Sequence, residues 1–191
     1  MKKLTHEFFQ IDAVTLAKSL LGKVLVHETA EGMTSGIIVE TEAYIGPEDK
    51  AAHTFNNRRT PRTEIVFHGG GYAYVYLVYG LHCCLNVTAN IPGKPECVLL
   101  RALRPLDGIE LMRLRRKFSS DKKLCNGPGK LCSAMGITRE HNGLDLCGDN
   151  LYIANMGFCD IQIAVSARIG IDYADEWRDK PLRFFVCGEV C

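Results

Sequence analysis

The chain has 191 residues, 47% of them apolar, and its 23 Lys and Arg nearly balance 22 Asp and Glu for a net charge of +1. That length suits one domain over residues 1–191, which at this size buries roughly 70% of its unfolded surface and needs no metal or disulfide staple. Lys2 and Lys3 are not followed by a secretory apolar core, no run of ~18 apolar residues could span a membrane, and the nine cysteines contain no CxxC pair, so a reduced, cytoplasmic protein is expected.

In chain order, Asp12 is expected to cap a helix over 13–21, with Val14, Ala17, Leu20 and Leu21 on one stripe and Gly22 as terminator. Strands are predicted at 23–29, 35–45, 72–79, 82–89 and 97–103. A helix over 108–117 should be capped by Asp107, with Glu110 reaching back and Leu106 stapled to Leu111. A short helix at 128–135 and strands at 151–154, 162–170 and 182–187 complete the chain. Strands dominate and crossover helices are few, which argues an α+β class: one mixed domain with a curved, largely antiparallel sheet, surrounding helices and a protruding hairpin.

Two segments carry candidate chemistry. In VETEAYIGPEDKAAHT, strand alternation sends Glu40, Glu42 and Tyr44 one way and Val39, Thr41, Ala43 and Ile45 the other. The second set can face a core, so the first should open onto something wet, with His53 arriving after a Gly-Pro turn; solvated glutamates on a half-buried strand are the plainer alternative. In GGGYAYVYLVYGLHCCLN, Tyr72, Tyr74 and Tyr76 alternate with apolar residues and Tyr79-Gly80 reads as a hairpin tip. A tip has no core to fill, and a protein that parts stacked bases wants an apolar or aromatic side chain there.

Other motifs carry less. Gly69-Gly70-Gly71 is not followed by the helix of a dinucleotide fingerprint, and Asn126-Gly127-Pro128-Gly129-Lys130 lacks the first Gly and the Ser or Thr of a P-loop. Gly127 to Lys130 could open a helix onto a phosphate or serve as a simple turn. Neighbouring strand residues His82, Cys83 and Cys84 face opposite ways and do not make a metal site. Arg58, Arg59 and Arg62 share one loop. Arg113, Arg115, Arg116, Lys117, Lys122 and Lys123 form a second cluster, for which a solvated helix surface is the default.

The blocks VETEAYIGPEDKAAH, YVYLVYGLHCCLNV, VLLRALRPLDG, LCNGPGKLC, ARIGI and EWRDKPLRFFVCG occur in the order found in the alkyladenine DNA glycosylases, the methylpurine or 3-methyladenine type, and the chain resembles that family over nearly its whole length. The resemblance implies a monomeric, cofactor-free, metal-free enzyme that takes double-stranded DNA containing damaged purines, flips one nucleotide out and hydrolyses its glycosidic bond. It implies Glu42 as general base, leaving Glu40 structural or solvated, although their separation of about 6.6 Å along a strand leaves a two-carboxylate mechanism open on spacing alone. It further implies that Tyr44, His53 and Tyr76 stack on the purine, and that Asn86 lines the pocket against guanine. Tyr79 would fill the vacated stack with Leu81 beside it, Arg101 would hold the water through its carbonyl, and a carbonyl of Ala167 to Ile171 would help. Arg58, Arg59 and Lys130 would touch the DNA backbone. Leu81 and His82 depart from the larger apolar or aromatic groups of mammalian members. A binding module without catalysis and a small glycoside or nucleoside hydrolase are the alternatives; intact Glu42 disfavours the first, and Tyr79 with the arginine loop the second.

Overall fold

Leu25, Val98 and Ile153 point to one side of a sheet while Val24, Val26, Ile37 and Tyr152 point to the other. This two-sided burial governs the architecture seen in a computed structural model, which describes residues 1–117, 120–158 and 161–188 except for the side chain of Lys122. The strands are β1 (Lys2–Lys3), β2 (Val24–Thr29), β3 (Gly32–Tyr44), β4 (Ala73–Val78), β5 (His82–Ala89), β6 (Glu96–Pro105), β7 (Leu151–Asn155), β8 (Gln162–Ser166) and β9 (Arg183–Cys187). They pair antiparallel in the order β1-β7-β2-β3-β6-β5-β4, with β9 joining β3 and β8 joining β9. Among the described residues four α-helices, α1 (His6–Phe9), α2 (Ala13–Leu20), α3 (Ile109–Arg116) and α4 (Pro128–Met135), accompany this sheet, and the α+β class holds.

Helix α2 follows its sequence signals. The Asp12 carboxylate accepts the Thr15 N–H at 2.9 Å, and Ala13, Leu16, Ala17 and Leu20 are buried against the sheet. Each fully buried leucine contributes about 1.5–3 kcal/mol. The helix is tied to β3 where the Thr41 hydroxyl donates to the Ala17 carbonyl at 2.9 Å. Helix α4 opens with Pro128 at its first turn behind Gly127. Its Gly129 lies against the hairpin, where an added Cβ would stand 3.0 Å from that of His82.

Two expectations are corrected. Asp107 does not cap α3: the helix starts at Ile109 after Gly108, in the left-handed region at φ 71°. The Asp107 carboxylate instead accepts the Ser35 hydroxyl at 2.7 Å, and its backbone extends the contact with β3; Leu106 packs on the Val24 and Ile37 cluster. The strand expected over 162–170 ends at Ser166, because the following Ala167 to Ile171 turns away to wrap the site. The short α1 and β1 carried no periodicity long enough to be read.

Candidate active site

Strand β3 places the carboxylates by breaking its own alternation. Ile38 lies in the main core and Val39 in the opposite cluster, so uninterrupted alternation would drive Glu40 and Glu42 into the core. The register with β6 slips between Ile38 and Glu40, leaving Val39 extra, and again between Glu40 and Thr41, leaving Arg101 extra on β6. The first bulge inverts the parity: Thr41 and Ala43 enter the core, and Glu40, Glu42 and Tyr44 turn to the other face. The second re-aims Arg101 towards them. Val39 is therefore not on the side of Thr41 and Ala43, contrary to simple alternation.

The face so formed is not wet at its centre. Glu42 is 0% exposed, which corrects the expectation that it opens directly onto something wet and removes the solvated-glutamate alternative for it. Its Oε1 accepts the Ile169 N–H at 2.8 Å and lies 3.3 Å from Arg101 Nη1, and its Oε2 accepts the Tyr44 hydroxyl at 3.0 Å. Burial raises the Glu42 pKa above the usual carboxylate value; Arg101, the Ile169 amide and Tyr44 pull against that rise. Glu40 is held by Arg101 Nε at 3.1 Å and Arg183 Nη1 at 2.9 Å. Glu40 is thus committed to two arginines, and Arg101 bridges the two acids.

In front of Glu42 lies a cavity of about 410 Å³ lined by Tyr44, His53, Tyr74, Tyr76, Asn86, Arg101, Ile169 and Tyr173 among others. Glu42 stands one layer behind it, and the three residues that hold its carboxylate form part of the wall. The His53 and Tyr76 rings meet at 4.6 Å and 76°, so one presents a face where the other presents an edge. His53 Nδ1 lies 2.8 Å from the Tyr74 hydroxyl. Burial, reinforced by Arg62 and Arg58, lowers its pKa to about 4, so the ring is neutral at pH 7. Asn86 is buried, with its Nδ2 donating to the Tyr74 carbonyl at 3.1 Å.

The residues expected at a DNA surface divide. Tyr79 is 91% exposed at the β4–β5 tip and Leu81 78% exposed beside it; Tyr79 and Gly80 both take positive φ, 52° and 70°, as a tight hairpin turn requires. Arg58 and Lys130 are exposed. Arg59 is engaged by Glu64 through two hydrogen bonds of 2.7 and 2.6 Å. In the second basic cluster Arg113 pairs with Asp121 and Glu110 and Arg115 with Glu31; the side chain of Lys122 lies outside the described residues.

Several residues at the site escaped the sequence reading. Arg168 and Asp49 form an ion pair with both side chains 0% exposed, and the guanidinium lies 4.7 Å from the Tyr44 ring centre. Asp49 also accepts the Ile45 and Ala51 amides, so the pair knits the turn after β3 to the segment that carries the Ile169 N–H. A lone arginine in the apolar run IAVSARIG was the available signal, since arginine is rarely buried unpaired. Arg183, which donates to the Ala167 carbonyl as well as to Glu40, and Tyr173 at the cavity wall left no such trace.

A model of the methylpurine-DNA glycosylase family matches residues 7–190. A Clostridium acetobutylicum protein named "Putative 3-methyladenine DNA glycosylase" is 51% identical over 99% of this chain and 96% of its own, and proteins of the same name from Desulfitobacterium hafniense and Bacillus cereus are each 47% identical over 94% or more of both chains. The chain belongs to the methylpurine-DNA glycosylase family. The blocks that carry the glycosylase resemblance converge on one place: β3 and its turn supply Glu42, Tyr44 and His53, and the hairpin supplies Tyr76, Tyr79 and Asn86. β6 supplies Arg101, the start of α4 supplies Pro128 and Gly129, and the last two blocks supply Ile169 and Arg183.

Proposed function

We propose that the protein is a monofunctional glycosylase that flips alkylated purines out of double-stranded DNA and hydrolyses their N-glycosidic bond, acting as a cytoplasmic, nucleoid-associated monomer without a cofactor. The observation that carries this is the fully buried Glu42 carboxylate, oriented by two hydrogen bonds and an ion pair directly behind an aromatic cavity. Burying a carboxylate costs stability, and a site that retains one gains from its charge.

In the proposed reaction the flipped purine enters among Tyr44, His53 and Tyr76, and each base–aromatic contact of about 1–3 kcal/mol offsets part of the unstacking cost. As the C1′–N bond stretches, its electron pair leaves with the base and the sugar acquires oxocarbenium character. Glu42 stabilises that charge and takes the proton of a water whose oxygen bonds to C1′. A cationic alkylpurine departs as a neutral base and needs no acid. That suits this cavity, where His53 is neutral and burial raises the Tyr44 and Tyr76 phenols well above their usual range. Lesions such as 3-methyladenine are accordingly favoured over hypoxanthine or ethenoadenine. Among the described residues lining the cavity there is no lysine to form a Schiff base, which supports a monofunctional enzyme.

Asn86, fixed at the cavity wall by its Nδ2 donating to the Tyr74 carbonyl, would exclude guanine by occupying the space that an exocyclic amino group needs. Tyr79 and Leu81 would fill the vacated stack, Arg58 and Lys130 would meet phosphates, and the carbonyls of Arg101 and the 167–171 segment would help to orient the water. The test is release of bases from alkylated duplex DNA, resolved by chromatography. Wild-type protein should release 3-methyladenine, and Glu42→Gln should bind the same DNA while release falls by roughly 10²–10⁴-fold or more. Near-wild-type release by the variant would remove Glu42 from the role. DNA binding without release by the wild type would favour the non-catalytic module, and hydrolysis of free nucleosides alone the soluble-substrate hydrolase.

A further inference from the structure

Away from the cavity, His6 on α1 meets Asp145 and Cys147. The ligand atoms of these three side chains lie within 4.8 Å of one another. Two independent constraints hold them. Leu146 is fully buried, its N–H donates to the Gly71 carbonyl and Gly71's neighbour Gly70 lies against Phe9, so Asp145 and Cys147, on either side of Leu146, meet at the edge of the core. There Cys147 is half-buried against the core and its N–H donates to the Asp145 carboxylate at 2.8 Å. His6 Nδ1 is 3.1 Å from the Gly70 carbonyl, which can only accept, so Nδ1 carries a hydrogen and Nε2 is the nitrogen turned to Asp145, 3.2 Å from its carboxylate.

We propose that His6, Asp145 and Cys147 form a binding site for a divalent transition metal of the zinc class, which clamps α1 to the chain around Leu146. A nitrogen, a carboxylate and a thiol suit zinc or cobalt rather than magnesium or calcium. The backbone carbonyl on the far nitrogen of His6 is the kind of contact that fixes an imidazole for a metal. The nitrogen–carboxylate spacing already matches two ligands about 2.0–2.2 Å from a shared zinc, and the sulfur, within 4.8 Å of both, completes the set by rotation of the Cys147 side chain. The Asp145 carboxylate also only accepts, so His6 Nε2 carries a hydrogen in the metal-free chain, and binding releases that proton and the thiol proton to solvent. Because His6 and Asp145 are part exposed, a fourth position stays open to water.

Tag-free protein, kept reduced without a chelating reductant, is titrated with Co²⁺ and then Zn²⁺. One Co²⁺ per chain should bind with a thiolate-to-metal charge-transfer band, which Zn²⁺ removes. Zn²⁺ at ~100-fold above its Kd should raise Tm by on the order of 5 °C. Cys147→Ser should fold, release bases as the wild type does, and lose both the band and the shift; His6→Gln should weaken binding at least tenfold. No band and no shift in the wild type, or both retained in Cys147→Ser, overturns the proposal.

Discussion

Glu42 and His53 are buried against their titration, in opposite senses. Glu42 has its pKa raised by burial, so the folded state holds that proton more tightly than the unfolded chain. The stability this gives is complete below the ordinary carboxylate value and lost as pH rises through the folded one. At pH 7 the ionised group is therefore a cost, and Glu42→Gln should have a higher Tm than the wild type there while losing base release. An equal or lower Tm would show that Arg101, Tyr44 and Ile169 more than compensate burial. His53, lowered to about 4 from 6.5, refuses a proton that the unfolded chain accepts. Its contribution is complete above about 6.5 and falls away towards pH 4, by up to about 3 kcal/mol. Denaturant titrations of wild type and His53→Gln across that window should show the difference between them changing with pH, and a constant difference would refute the assignment.

The β4–β5 hairpin and the two bulges of β3 and β6 show how elements deliver these residues. The hairpin was legible because alternation and Tyr-Gly are local signals, and its tip does carry an exposed tyrosine in a left-handed conformation. A non-glycine residue there costs about 1 kcal/mol or more, which a purely structural turn would avoid with Asn or Gly. If Tyr79 holds the flipped state, Tyr79→Ser should weaken binding to a paired lesion and reduce the signal of a flipped fluorescent base, with a smaller penalty on mismatched DNA where unpairing costs less. Equal losses on paired and mismatched DNA would sink the wedge. The bulges, by contrast, left no sequence trace: Val39 and Arg101 are ordinary strand residues, and only pairing between β3 and β6 reveals that each is one residue too many.

At the scale of the molecule, a near-neutral chain becomes a candidate DNA binder through the placement of its charge. Arg113 and Arg115 are neutralised by acids brought to them by the fold. Arg58 borders a recess that shares Ala51, His53 and Tyr173 with the cavity, and Lys130 follows the Pro128 and Gly129 that line its other side. DNA affinity should therefore fall steeply with salt, and Arg58→Ala with Lys130→Ala should lower the log–log slope by about 2 without changing lesion preference. Arg59→Ala should matter less, because Glu64 already holds that guanidinium. A slope unchanged in the double variant would place the phosphate track elsewhere.

By itself the sequence determined what depends on near neighbours and on long blocks of distinctive residues: the capped helix α2, the hairpin with Tyr79 at its tip, the antiparallel α+β class and the family, whose resemblance points to Glu42. The helix, the hairpin and the class need only a period, a cap or a turn within a few residues, and the family only the order of its blocks. The tertiary structure decided what depends on register and long-range partners. It buried Glu42 rather than wetting it, gave Arg101 and Arg183 to Glu40, paired Arg168 with Asp49 beneath Tyr44, moved Asp107 from a helix cap to Ser35, and occupied Arg59 with Glu64. A single-residue slip between strands reverses which side a chain of side chains faces, and nothing within β3 alone encodes the strand that imposes it.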